Sequence, residues 1–257
     1  MKKFSSFVIV LLLMLTPFTV YAQGYQRGDV DRNGAVTISD VTSLIDYLLT
    51  GTWPDEPVTP PDTHECVDLG LPSGTLWATC NVGATAPEEY GDYFAWGETE
   101  PKEEYSWENY QWCNGTSNTL TKYCFKSSCG YNGFTDDKTE LDPEDDAAYV
   151  NWGPVWRMPT YEQMNELFSQ CTQEWKESNG VYGRLFTGPN GNTLFLPAAG
   201  NPGSESLRSA DSVGNYWSRT LGFEPYCAYM ICFYLEGEQR YSLDRLYGLN
   251  VRAVRVP

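Results

Sequence analysis

Hydrophobic and polar residues are distributed along this chain in three patterns, and each marks a different kind of segment. Residues 7–15 form an unbroken apolar run. A helical period appears at Val41, Leu44, Ile45 and Leu48, with Gly51 placed to stop the helix. It returns most clearly at Met164, Leu167, Phe168 and Cys171, whose i, i+3, i+4, i+7 spacing puts them on one face. Thr160 stands where that helix needs a cap. Gln163 sits three residues on, where its side chain reaches back to the cap N–H, so the spacing predicts a capping box. Pro159 disfavours helix at Met158 and sharpens the start.

Most of the remainder, from Glu65 to the end, reads as strand and loop. Apolar residues on both sides of Pro72-Ser73-Gly74 predict two short strands, and 90–98 reads as an aromatic strand with glycine ends. Residues 185–187 and 193–196 flank Gly188-Pro189-Asn190-Gly191-Asn192, a hairpin signal. Tyr216-Trp217, 228–235 and 251–256 supply further strands. Asp142 reads as the cap of a short helix that Pro143 opens. Residues 99–140 are polar and aromatic and read as long loop. Few helices, many short strands and long loops predict an α+β fold in which one main helix covers much of the core.

Composition narrows the picture. An apolar content of 41%, with 15% aromatic residues, suffices for a packed core in a chain of 257 residues. The charge balance is acidic, 17 Lys+Arg against 34 Asp+Glu, net −17. That field repels phosphate backbones and anionic lipid, which argues against nucleic acid and membrane surfaces as partners. Lys2 and Lys3 before the 7–15 run, and Val20-Tyr21-Ala22 behind it, read as a signal peptide over 1–22. The run is shorter than the roughly 18 residues that a membrane span needs. The mature chain is therefore expected to be secreted, extracellular or at the cell surface, with the periplasm as the alternative. Eight cysteines in an exported chain point to disulfides, with on the order of a hundred possible pairings. Zinc competes poorly, because His64 is the single histidine and no C-x-x-C pair exists. Pro54, Pro57, Pro60 and Pro61 make 52–64 a semi-stiff linker between a small unit, 23–51, and a main domain, 65–257.

Asp29-Val-Asp-Arg-Asn-Gly34 and Asp40 match the D-x-[DN]-x-[DN]-G-x5-acid calcium loop, with Asp where the EF-hand template has Glu. Asp29, Asp31 and Asn33 would turn hard oxygens to one centre, Gly34 makes the sharp turn, the Ala35 carbonyl adds a ligand and Asp40 closes the sphere. Calcium is thus the expected cofactor. With its following Val-x-x-Leu-Ile-x-x-Leu helix, this segment resembles a type I dockerin repeat. The resemblance implies docking onto a cohesin-like or other surface protein. A dockerin carries two such units, and one is visible here. A lone loop–helix unit cannot bury its own apolar face.

A second resemblance spans nearly all of 65–257. Val67-Asp-Leu-Gly-Leu71, Trp77-Ala-Thr-Cys-Asn-Val-Gly-Ala84, Tyr90-Gly-Asp-Tyr-Phe-Ala-Trp-Gly-Glu98, Trp156-Arg-Met-Pro-Thr160, Phe195-Leu-Pro-Ala-Ala-Gly200, Tyr216-Trp-Ser218 and Val251-Arg-Ala-Val-Arg255 carry it. They are similar to the Fibrobacter succinogenes major paralogous domain, a family of exported bacterial modules. The resemblance implies a C-type-lectin-like fold, related to that of formylglycine-generating enzymes, and no assigned catalytic residue. Fold alone does not give function.

Three chemistries can be weighed on the residues. In formylglycine-generating enzymes a cysteine pair downstream of Gly-Asn-x-Trp binds copper. Gly214-Asn-Tyr-Trp217 precedes Cys227 and Cys232 here, but five residues apart on one strand they face opposite sides. Glycoside hydrolysis needs two carboxylates about 5 to 10 Å apart. Glu98, Glu100, Asp136, Asp137, Asp145 and Asp146 are candidates with nothing to distinguish a pair. Trp96, Trp107, Tyr110, Trp112 and Trp152 offer ring faces for stacking on a sugar, against the ordinary use of large aromatics as core. The expected function is a non-catalytic binding or adhesion module for a glycan or surface protein. The alternatives are a dockerin-borne component of a polysaccharide-degrading assembly and a copper oxidase.

Overall fold

The computed structural model describes residues 64–203 and 207–255, together with 41, 44, 45 and 47–49. The chain divides into two compact units, Met1–Pro61 and Asp62–Pro257. The expected signal peptide, the expected linker up to Thr63 and the residues expected to hold calcium, Asp29, Asp31, Asn33, Ala35 and Asp40, lie outside the described residues. In the first unit the described residues are helical, as the period predicts, and Val41, Ile45, Leu48 and Leu49 are exposed.

The second unit is α+β. In chain order its elements are β1 (Cys66–Asp68), β2 (Leu76–Ala78), β3 (Tyr93–Phe94), α1 (Ala147–Trp152) and α2 (Tyr161–Gln170). There follow β4 (Thr172–Ser178), β5 (Val181–Thr187), β6 (Thr193–Pro197), β7 (Asn201–Pro202), β8 (Leu207–Arg208) and β9 (Val213–Leu221). β10 (Cys227–Tyr234), β11 (Gly237–Asp244), β12 (Leu249–Asn250) and β13 (Val254–Arg255) complete it. A central sheet runs in the order β11-β10-β9-β12-β3, beside the three-stranded sheets β1-β2-β13 and β4-β5-β6 and the pair β7-β8.

The central sheet separates two cores because side chains alternate across a strand. Trp217 on β9 and Met230 and Cys232 on β10 face a core with Phe94, Trp96, Trp156 and Val251. Their neighbours Tyr216, Ile231 and Phe233 face the other, where α2 lays down Met164, Leu167 and Phe168 against Phe186, Leu194 and Leu196. The α2 start is built as expected. The Thr160 hydroxyl accepts from Gln163 N at 3.1 Å, and Gln163 Oε1 accepts from Thr160 N at 2.9 Å. The helix stops one residue before Cys171, whose thiol still packs into that core.

Several local expectations are corrected. A short helix does open at Pro143 with Asp142 at the cap position, but it is a single 3-10 turn, Pro143–Asp145, and the Asp142 side chain does not cap it. Its carboxylate is held by Lys122 at 2.7 Å and by Lys138. The cap belongs to the fully buried Asp146, which accepts from Ala148 N and Tyr149 N to open α1 and from Met158 N, twelve residues on. The aromatic strand at 90–98 shrinks to two residues, and 251–256 to Val254–Arg255. β4 and β11 are strands that the hydrophobic pattern does not announce. The eight cysteines, all among the described residues, carry free thiols in this structure. They are dispersed: Cys66 and Cys232 pack in one core, Cys171 in the second, and Cys113, Cys124 and Cys129 in a third, smaller cluster.

Candidate recognition surface

The long segment 99–140 has almost no regular secondary structure, yet it is fixed to the core at many points. The anchors are aromatic side chains whose polar tips find backbone partners, as buried Tyr and Trp require. Tyr105 Oη donates to Tyr93 O at 2.5 Å, Tyr110 Oη to Trp96 O at 2.6 Å, and Trp112 Nε1 to Gly97 O at 2.6 Å. All three therefore grip β3 or the chain leaving it. Trp96, fully buried, donates from Nε1 to Ser218 O at 2.8 Å. Burial pushes the Tyr105 and Tyr110 phenols up.

Arg245 closes this layer from beneath. Its guanidinium is fully buried, lies 5.4 Å from the ring centroids of both Trp96 and Tyr110, and donates to Tyr123 O at 3.2 Å. Among the described residues it forms no salt bridge; Lys122 O, at 3.3 Å, is a second acceptor, and the two ring faces are suited to its charge.

Carboxylates hold the rest of the segment. Asp136 accepts from Tyr123 N at 2.7 Å and Cys124 N at 2.9 Å. Asp145 accepts from Lys122 Nζ at 2.6 Å and from Tyr123 Oη at 2.5 Å. Burial and Asp145 raise the Tyr123 phenol. For Asp142, burial works upward, but Lys122 and Lys138 outweigh it and hold the carboxyl below the usual carboxylate range. For Asp146 burial wins, pushing the carboxyl up against the backbone N–H groups of Met158 and Tyr149. Glu98 is buried against Lys102, 2.7 Å away, and accepts from Gln111 N at 2.7 Å. The acids considered for hydrolysis at 98, 136, 145 and 146 are thus engaged in holding the loop, while Glu100 and Asp137 are exposed.

The five aromatic residues considered for stacking come apart. Trp96 and Tyr110 are core, with no face left for a ligand. Trp107 and Trp112 are half-buried; Trp107 meets the Tyr110 ring edge-on at 5.5 Å, and Lys122 Nζ lies 4.9 Å from the Trp112 ring. Trp152 stacks on His64 at 4.0 Å. What the loop presents outward instead is Phe125, Tyr131 and Phe134, exposed by 42%, 43% and 36%, and on a neighbouring turn Phe223, by 65%. Lys126 Nζ, 2.7 Å from both Glu224 carboxylate oxygens, ties the two turns together. The sequence does carry a signal for these rings: Phe125, Tyr131 and Phe134 lie in a Ser/Gly-rich stretch with no hydrophobic period. Gly130 forms the base of the 131–134 turn, where a Cβ would sit 1.8 Å from Phe134 O, so only glycine fits.

The Cys227 and Cys232 thiols do not converge. Cys232 lies on the Trp217 side of β10, and Cys227 donates to Asp244 Oδ1 at 3.4 Å on the β11 side. Burial and the Asp244 carboxylate push the Cys227 thiol up to about 12. Among the described residues no group of three or more His, Cys, Asp or Glu is placed to hold a metal, and no helix is long and apolar enough to cross a membrane. Comparison with protein-family models, with curated proteins and with solved structures finds no match.

Proposed function

We propose that the chain is an exported, non-catalytic recognition module. Its C-type-lectin-like main domain would bind a glycan on the outer face of 99–140, and a calcium-stabilised, dockerin-like unit precedes it. One observation carries this reading. Within a single loop, Tyr105, Tyr110 and Trp112 anchor the backbone, while Phe125, Tyr131 and Phe134 stand in water. Exposed apolar rings on a firmly held loop suit stacking on the apolar face of a sugar, with little ordering left to do on binding. In the first unit, Asp29, Asp31, Asn33, the Ala35 carbonyl and Asp40 are the oxygen donors that would take calcium.

The test is a glycan-array and surface-protein screen of the mature chain. The hit is then titrated against a Phe125→Ala/Tyr131→Ala/Phe134→Ala variant with an unchanged melting temperature. Hot-spot rings contribute about a factor of ten each, so the expected result is a glycan ligand whose affinity falls more than about tenfold. Undiminished affinity in the variant would remove the ligand from this face.

A second reading, a component of a polysaccharide-degrading assembly, is favoured by the exposed Val41, Ile45, Leu48 and Leu49 on the dockerin-like helix. An unsatisfied apolar helix face suits a partner protein. Calcium-dependent pull-down of a cohesin-type partner would support it, and capture that is equal with calcium and chelator would count against it.

A further inference from the structure

Three of the eight thiols, Cys113, Cys124 and Cys129, lie in one small buried cluster with Leu120, Trp107 and Tyr226. The backbone explains why. Leu120 is the middle of three adjacent chain passes: Thr121 N donates to Trp112 O, Asn114 N to Thr119 O, Leu120 N to Cys129 O and Tyr131 N to Leu120 O. Side chains from all three passes are thereby gathered under one fully buried leucine.

Within the cluster the thiols are not equivalent. Cys113 Sγ turns back into its own pass and donates to Trp107 O at 3.1 Å. Cys124 and Cys129 instead meet at a single atom. The carbonyl oxygen of Lys126 accepts from Cys124 Sγ at 3.2 Å and from Cys129 N at 2.9 Å. Lys126–Cys129 is a tight turn, and its first carbonyl brings the Cys124 thiol and the Cys129 N–H to the same oxygen. Asp136 fixes the near end by accepting from Cys124 N.

We propose that Cys124 and Cys129 are a disulfide pair held reduced in this structure, and that oxidation closes the turn that carries Phe125. A short bridge needs its two Cα atoms within roughly 7 Å, which a turn closed on Lys126 O can supply and which the dispersed Cys66, Cys80, Cys171, Cys227 and Cys232 do not share. The oxidant is a disulfide, either a small one or that of a thiol–disulfide oxidoreductase. Cys129, the less buried of the two, attacks it as thiolate and expels one thiol. The Cys124 sulfur then displaces the second thiol from the mixed disulfide. Two thiol protons and two electrons leave the protein, one S–S bond forms, and the acceptor departs as two thiols. The pairing does not rest on the recognition reading.

Lys126 lies inside the bridged turn, so trypsin reports on the pair directly. The folded mature chain is incubated with oxidised glutathione, alkylated with iodoacetamide and digested without reduction. The expected product is peptide 123–126 joined to peptide 127–138, separating on reduction. The link should survive Cys113→Ser and vanish in Cys129→Ser. Peptide 103–122, which carries Cys113, joined to either one would overturn the pairing. So would a bridge to any of the other five cysteines, or alkyl or glutathione groups on both peptides in place of the link.

Discussion

Lys122 shows how much of the loop hangs on one side chain. Its ammonium lies 2.7 Å from Asp142 and 2.6 Å from Asp145, and 4.9 Å from the Trp112 ring. Only about a sixth of it is exposed, 17%, so solvent screens these pairs less than it would on an open surface. Replacing it as Lys122→Met strands the buried Asp145 with Tyr123 Oη alone and leaves Asp142 to Lys138. The expected cost is about 3 kcal/mol, the low end for breaking a buried pair, read by chemical denaturation. The pH dependence has a definite sign. The folded Asp142 carboxyl titrates below its unfolded value, so its contribution is present above the ordinary carboxylate range and is lost as pH falls through the folded pKa. Lys122→Met removes most of that contribution. Its acid-unfolding midpoint, followed by tryptophan fluorescence, should therefore move to higher pH. An unmoved midpoint would mean that Lys138 alone holds the carboxylate.

At the scale of elements, α2 was legible because everything that defines it is local. The cap, the reciprocal Gln163 contact and the apolar stripe fall within a dozen residues, and each is found where the spacing puts it. Gln163 goes further than the spacing could say: its Nε2 donates to Thr75 Oγ1 at 3.0 Å, joining the helix start to the β1–β2 turn. Thr160→Ala should cost about 1 kcal/mol, or roughly 3 °C in the melting temperature of a domain of this size. A loss within error would mean that Gln163 and Thr75 hold the turn without the cap. The strands missed in the sequence fail for the opposite reason. Thr-Gln-Glu-Trp-Lys-Glu-Ser in β4 and Gly-Glu-Gln-Arg-Tyr-Ser-Leu-Asp in β11 are polar strands at sheet edges, so burial imposes little alternation on them. One local signal was available, Asn179-Gly180, which turns β4 into β5 with φ of 49° and 87°. The aromatic residues divide on a criterion the sequence does not contain. Trp96 and Tyr110 are core because their polar tips meet carbonyl groups brought near by tertiary folding.

For the whole molecule, the two units should differ in what stabilises them. The main domain has two large apolar cores, one on each face of its central sheet. The unit before the expected linker has, among its described residues, a helix whose Val41, Ile45, Leu48 and Leu49 are exposed, so these four side chains contribute little by burial. The expected ion offers another source: a calcium loop over 29–40 would bring Asp29, Asp31 and Asp40 together on a chain of net −17, and a divalent cation would convert that repulsion into attraction. Calorimetry of the mature chain should therefore show a transition that calcium moves upward. At a calcium concentration a hundredfold above the dissociation constant, the gain is about 2.7 kcal/mol by mass action. The larger transition of the main domain should stay where it is. Asp29→Ala or Asp40→Ala should reproduce the chelator trace in the presence of calcium, again without touching the main transition. Identical traces with calcium and chelator would leave the D-x-D-x-N-G pattern as an ordinary turn, and the exposed helix would then depend on a partner alone.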